Sequence, residues 1–113
     1  MLIVDDHPSF RSSARRLLED AGYDVVGEAQ DGASALTAAR TLQPAVVLLD
    51  VYLPDLDGFD IARRLTSDDD PPAVVLTSSY DRNDFASLVE RSGARGFLPK
   101  AELSGPALAA LLG

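Results

Sequence analysis

The sequence predicts a doubly wound α/β domain: a five-stranded parallel sheet with helices on both faces. Three observations predict it. Short apolar runs alternate five times with segments of helical periodicity. The central run, Ala45-Val46-Val47-Leu48-Leu49, is apolar throughout, as suits a strand covered on both faces. Four of the runs end on polar side chains, and the carboxyl ends of strands are where open α/β sheets bind ligands.

In order along the chain, Leu2-Ile3-Val4 reads as strand one and ends on Asp5-Asp6. His7-Pro8 leads into a helix, because Pro suits a first helical turn. Phe10, Ala14, Leu17, Leu18 and Ala21 then recur at helical spacing, and Gly22 stops the helix. Tyr23 to Glu28, containing Val25-Val26, reads as strand two. Asp31-Gly32 opens helix two, with Ala35, Leu36, Ala38, Ala39 and Leu42 as its stripe. Pro44 separates that helix from strand three, which ends on Asp50. After Asp57-Gly58, the residues Phe59, Ile61, Ala62 and Leu65 mark helix three. Residues 67–72 form an acidic loop. Ala73 to Thr77 reads as strand four. Phe85, Leu88 and Val89 mark helix four, which Gly93 ends. Ala94 to Leu98 reads as strand five, closing at Pro99-Lys100. Leu103, Leu108, Leu111 and Leu112 give a final helix with Pro106 in its first turn.

Composition sets the outer bounds. At 113 residues, with 46% hydrophobic and 25% charged residues, the chain fits one soluble domain with a real core. No apolar run approaches the roughly 20 residues of a membrane span. The start turns acidic at once and lacks a basic n-region, so it does not read as a signal peptide. Without cysteine there is no disulfide framework and no thiolate site. A cytoplasmic location fits. A net charge of −8 makes the chain a poor binder of nucleic acid by itself. Lys100 is the only lysine among ten basic residues. A flexible ammonium does things a planar guanidinium does not.

The strand ends carry Asp5 and Asp6, Asp50, Thr77 and Lys100. In a doubly wound sheet they converge on one edge. Clustered carboxylates raise one another's pKa unless a cation neutralises them. A hard dication such as Mg²⁺ takes oxygen ligands and keeps open positions for a phosphoryl oxygen. Asp50 would then attack as a carboxylate nucleophile, with Lys100 and the metal stabilising the transferring group and Thr77 donating a hydrogen bond. Singly, each residue has an ordinary explanation. Asp-Asp is most often a cap or turn, and Thr77 and Lys100 suit solvated strand ends. Their conjunction on one edge carries the reading. His7, the sole histidine, is expected to border the site as a loop residue rather than to relay a phosphoryl group.

The sequence resembles the receiver domain of two-component response regulators over the whole chain, residues 1–113. The matching segments are Val4-Asp5-Asp6, Asp50 to Gly58, Val75-Leu76-Thr77-Ser78, and Gly93 to Lys100. The Asp-Asp-His-Pro start and the Gly-Phe-Leu-Pro-Lys ending are most similar to NarL/LuxR-type receivers. The resemblance implies strand order 2-1-3-4-5. It implies that Asp50 accepts a phosphoryl group from a sensor histidine kinase. Asp5, Asp6, Asp50 and the Tyr52 carbonyl would hold Mg²⁺. Lys100 would pair with the phosphoryl group, while Thr77 and Phe97 act as the switch. It implies a response on the face of helix four, strand five and helix five, through a homodimer or an attached transcriptional output domain that would supply any DNA binding. Tyr52 and Ser79 lie where the family tunes acyl-phosphate hydrolysis, and a bulky Tyr52 is expected to slow it. Beyond self-phosphorylation and dephosphorylation at Asp50, no enzyme activity is expected. Two other readings compete. A haloacid-dehalogenase-like phosphatase would need an Asp-x-Asp spacing after strand one, which Asp5-Asp6-His7 lacks. A phosphate-independent interaction module would not need the full set of five residues.

Overall fold

A computed structural model describes residues 1–79 and 86–113. Five parallel strands lie in the order β2-β1-β3-β4-β5: β1 Leu2–Val4, β2 Gly27–Ala29, β3 Val46–Asp50, β4 Ala73–Ser78 and β5 Gly96–Pro99. Between and after them run α1 Pro8–Asp20, α2 Gly32–Leu42, α3 Gly58–Thr66, α4 Ala86–Ser92 and α5 Gly105–Leu112. The expected fold class and strand order both hold. Among the described residues, no helix is long and apolar enough to cross a membrane.

The apolar runs work because strand side chains alternate between two covered faces. Leu2, Val4, Val47, Leu49, Val74, Leu76 and Phe97 pack with Ala35 of α2 and Ile61, Ala62 and Leu65 of α3. Ile3, Leu48, Val75 and Leu98 pack on the other face with Ala14 and Leu18 of α1 and Leu108 of α5. Asp50 and Thr77 keep the parity of Leu48 and Val75, so both belong to the α1/α5 face. They are directly opposite in register.

Helix boundaries follow local chemistry. Pro8 sits in the first turn of α1, and Gly22 after it takes φ +96°. Asp31 and Ser34 close a reciprocal capping box on α2. Asp57 caps α3 by accepting from the Phe59 amide at 2.8 Å. Gly93 follows α4 at φ +81°. Ser104 caps α5, accepting from the Ala107 amide at 3.1 Å.

Three boundaries differ from expectation. β2 covers Gly27–Ala29, later than the Val25-Val26 pair. Its register against β1 runs Leu2 to Gly27 and Val4 to Ala29, while Val25 packs into the core just before the strand and Val26 is exposed. β5 likewise starts two residues late, at Gly96. A 3₁₀ turn over Lys100–Glu102 precedes α5, so Leu103 lies before that helix rather than in it. Phe85, expected on helix four, lies outside the described residues.

Candidate functional site

The site is built where β1, β3, β4 and β5 end. Asp5 directly follows β1, and its amide donates to the Ala29 carbonyl at 3.0 Å, extending the pairing to β2 by one residue. Its carboxylate is fully buried. Asp50 ends β3 at 3% exposure. Lys100 follows β5, and its Nζ lies 2.6 Å from Asp5 Oδ2 and 3.4 Å from Asp50 Oδ2. One ammonium thus bridges two buried carboxylates that start 45 positions apart in the chain.

The ammonium is steered from two other directions. It lies 4.6 Å from the centroid of the Phe10 ring on α1, a cation–π contact. On the same helix, Arg11 donates to the Asp5 carbonyl at 2.6 Å and pairs with Glu28 at 3.1 Å, tying α1 to the ends of β1 and β2. Neither aromatic nor arginine stands out in the sequence, because both look like ordinary positions of an amphipathic helix.

Asp6 and His7 complete the rim. The His7 amide donates to Asp5 Oδ1 at 2.8 Å, and its Nδ1 lies 3.1 Å from Asp5 Oδ1 and 3.1 Å from Asp6 Oδ1. His7 lies on the cleft rim directly before α1, and its ring nitrogen faces both carboxylates. The carboxylates of Asp5, Asp6 and Asp50, together with His7, offer one ligand atom each within 4.8 Å of one another.

Asp50 is electrostatically unsettled. Burial first, and the Asp5 carboxylate second, push its pKa up to about 6. Lys100 and the Tyr52 amide, which donates to Asp50 Oδ1 at 3.2 Å, pull in the opposite direction without cancelling the effect. Beside it, Thr77 Oγ1 is buried with no hydrogen-bond partner among the described residues. A buried hydroxyl left unpaired costs about 1–3 kcal/mol. An under-neutralised carboxylate cluster and an orphaned hydroxyl both fit a site made for a dication and an anionic oxygen group. The donor set is all oxygen apart from His7, which suits Mg²⁺.

Above these groups opens a cleft of about 620 Å³, lined by Asp6, His7, Asp50, Tyr52, Ser78, Ser79 and Lys100. A second cleft of about 400 Å³ follows the β3–α3 connection. Its carboxylates are already engaged. Asp55 accepts from the Gly32 and Ala33 amides at 2.7 and 3.0 Å, and Asp57 caps α3. The Asp55 contact joins positions 23 and 22 residues apart, so no local pattern announces it.

Of the sequence-predicted residues, Asp5, Asp6, Asp50 and Lys100 come together, and Thr77 lies beside Asp50 in register. Tyr52 stands at the cleft wall with 54% exposure. Phe97 is buried on the opposite face of the sheet, paired in register with Leu76.

The sequence model of the response regulator receiver domain matches residues 1–111. Among curated relatives, the DNA-binding response regulator MtrA of Mycolicibacterium smegmatis is 41% identical over 102 residues, covering 88% of this chain and 43% of MtrA. The response regulator GacA of Pseudomonas protegens is 37% identical over 101 residues, covering 88% and 47%. The chain spans about half the length of the curated transcription regulators it matches. Among solved structures, the signal receiver domain of NarL from Mycobacterium tuberculosis superposes with a TM-score of 0.86 at 37% identity, covering 99% of this chain and 94% of that one. A LuxR-family two-component response regulator from Aurantimonas gives 0.86 at 32% identity, covering 98% and 83%.

Proposed function

Because the chain belongs to the response regulator receiver domain family, we propose that it is a phosphorylation-driven switch whose acceptor is Asp50. The observation that carries this reading is the set of three carboxylates and one ammonium around a single cleft, with the Thr77 hydroxyl unpaired beside them.

On this reading, Asp5, Asp6, Asp50 and the backbone carbonyl of Tyr52 hold Mg²⁺, which when bound neutralises charge on the transferring phosphoryl group. Asp50 supplies the nucleophile. Its carboxylate oxygen forms a bond to phosphorus as the bond from phosphorus to the kinase's histidine nitrogen breaks, and the electron pair leaves on that imidazole. Lys100 turns its ammonium from Asp5 and Asp50 toward the new phosphoryl oxygens. Thr77 donates the hydroxyl proton that has no acceptor in the unmodified state. These gains exist only after transfer, so they bias the molecule toward a second arrangement. The Phe97 side chain packs behind Thr77's strand and is the element through which β4 would signal to β5 and the α4 and α5 surface.

The chain is a module of signalling rather than a separate enzyme. Its donor is a sensor histidine kinase. Its output is a homodimer through the α4, β5 and α5 face, or an attached transcriptional domain that contacts DNA. A cytoplasmic site of action follows from both partners. The test is intact mass after incubation with acetyl phosphate, with and without Mg²⁺. One Mg²⁺-dependent phosphoryl adduct, absent in Asp50→Asn, is the expected result. No adduct, with no detectable Mg²⁺ binding, returns the chain to a phosphate-independent interaction module.

A further inference from the structure

We propose that Phe10 is a positioning residue for phosphoryl transfer: its ring holds the Lys100 ammonium at the acceptor cleft while that ammonium changes anionic partners. The inference rests on the reading of Asp50 as the acceptor and deepens it.

Lysine is a demanding choice for a fixed charge. Its four-carbon stem is flexible, and confining it costs rotamer entropy. In the unmodified protein two carboxylates confine it, Asp5 at 2.6 Å and Asp50 at 3.4 Å. Neither is a lasting partner. Asp5 has its oxygens engaged when a dication is bound, and Asp50 gives up a free oxygen to the bond with phosphorus. An aromatic ring is different. It neither ligates a hard dication nor accepts a phosphoryl group, yet its negative face attracts an ammonium. The Phe10 ring centroid lies 4.6 Å from Lys100 Nζ, inside the roughly 6 Å reach of that attraction. The Lys100 side chain is only 13% exposed, and the attraction is strongest where the cation is desolvated.

The ring is itself held. Phe10 lies in the first turn of α1 and packs against the core on the α1/α5 face. The next residue, Arg11, donates to the Asp5 carbonyl at 2.6 Å and pairs with Glu28 at 3.1 Å. One turn further on, Arg15 pairs with Glu28 at 2.6 Å and donates to the Val25 carbonyl at 3.1 Å. These contacts anchor α1 to the end of β1, to β2 and to the segment before β2. The ring therefore keeps its place when the charges in the cleft change. The consequence is a fixed pivot. Lys100 exchanges carboxylate oxygens for phosphoryl oxygens by a short swing, without a search through its rotamers.

The test compares Phe10→Leu, which stays apolar and loses the ring face, with Phe10→Tyr, which keeps the face. Thermal melts check that both variants fold. Phosphoryl uptake from acetyl phosphate with Mg²⁺, followed by intact mass, should slow roughly 2- to 30-fold in Phe10→Leu and hold at the wild-type rate in Phe10→Tyr. In a Lys100→Met background the same Leu substitution should change nothing further, because the ring acts through the ammonium. Lys100 is the only lysine, so a lysine-labelled sample reports its motion in one signal. Relaxation at its ε-carbon should show greater ps–ns mobility in Phe10→Leu, most of all with Mg²⁺ present, and wild-type mobility in Phe10→Tyr. Uptake at the wild-type rate by Phe10→Leu, an equal loss with and without Lys100, or unchanged mobility at the ε-carbon overturns the proposal. A wild type that takes up no phosphoryl group overturns the acceptor reading together with the proposal, so the wild type alone tells the two failures apart.

Discussion

Asp50 sits in a place that penalises its own charge. Its pKa rises from 3.8 to about 6, through burial and then through Asp5. A carboxyl raised in the folded state contributes stability that is present below its unfolded pKa and is lost as pH rises through the folded value. In metal-free buffer, stability attributable to Asp50 should therefore decline between about pH 4 and pH 6. Asp50→Asn removes the charge, and at pH 7 it should stabilise the metal-free protein by up to about 3 kcal/mol. Denaturant titrations of both proteins at pH 4 and pH 7 check this, with the gap opening only at the higher pH. Adding Mg²⁺ should raise the melting temperature of the wild type and leave that of Asp50→Asn little changed, because only a ligand that binds the folded state stabilises it. Asp5, Asp6, Asp50, Thr77 and Lys100 were all legible in the sequence, because each ends a run whose strand character is plain. The contact of Lys100 with Phe10, and of His7 Nδ1 with two carboxylates, was not legible. Both depend on the path of a turn and on a helix face, and neither leaves a mark in local periodicity.

At the scale of elements, the connection after β3 is the most constrained part of the chain. A Cβ added at Gly58 would lie 2.5 Å from the Asp50 carbonyl oxygen and 2.7 Å from the Val51 Cα. Neither backbone atom can move without disturbing the acceptor strand. Gly58→Ala should cost about 1–3 kcal/mol, read as a lower urea midpoint at unchanged slope. Asp55 ties the same connection to α2 through the Gly32 and Ala33 amides. The Gly32 amide above all holds the Asp55 carboxyl below its ordinary range. A lowered pKa contributes stability above the unfolded value and loses it as pH falls through the folded one. Wild type should thus exceed Asp55→Asn in stability at neutral pH, with the difference closing in acid. The helix starts at Asp31-Gly32 and after the Asp57-Gly58 turn were readable from those dipeptides, and the structure shows both Asp side chains capping the helices. The start of β2 was not, because Val25-Val26 is the more apolar pair but the register with β1 falls on Gly27 to Ala29.

For the molecule as a whole, the alternation of apolar runs and helical stripes was enough to read a parallel sheet covered on both faces. The strand order came from family resemblance, since periodicity does not say which strands are neighbours. The net charge of −8 carries its own prediction. This chain alone should not retard duplex DNA in a gel at physiological salt, phosphorylated or not, because its net negative charge opposes binding to a polyanion. The sheet also divides the labour of the molecule. Asp50 and Thr77 share the parity of Leu48 and Val75, while Val47, Ile61 and Leu65 pack on the other side. A protein engineer seeking a hardier version has a workshop in that second layer. Packing there can be tightened or relaxed with a wall of backbone between the tools and the acceptor carboxylate, so long as Phe97, which packs in that same layer, is left in place.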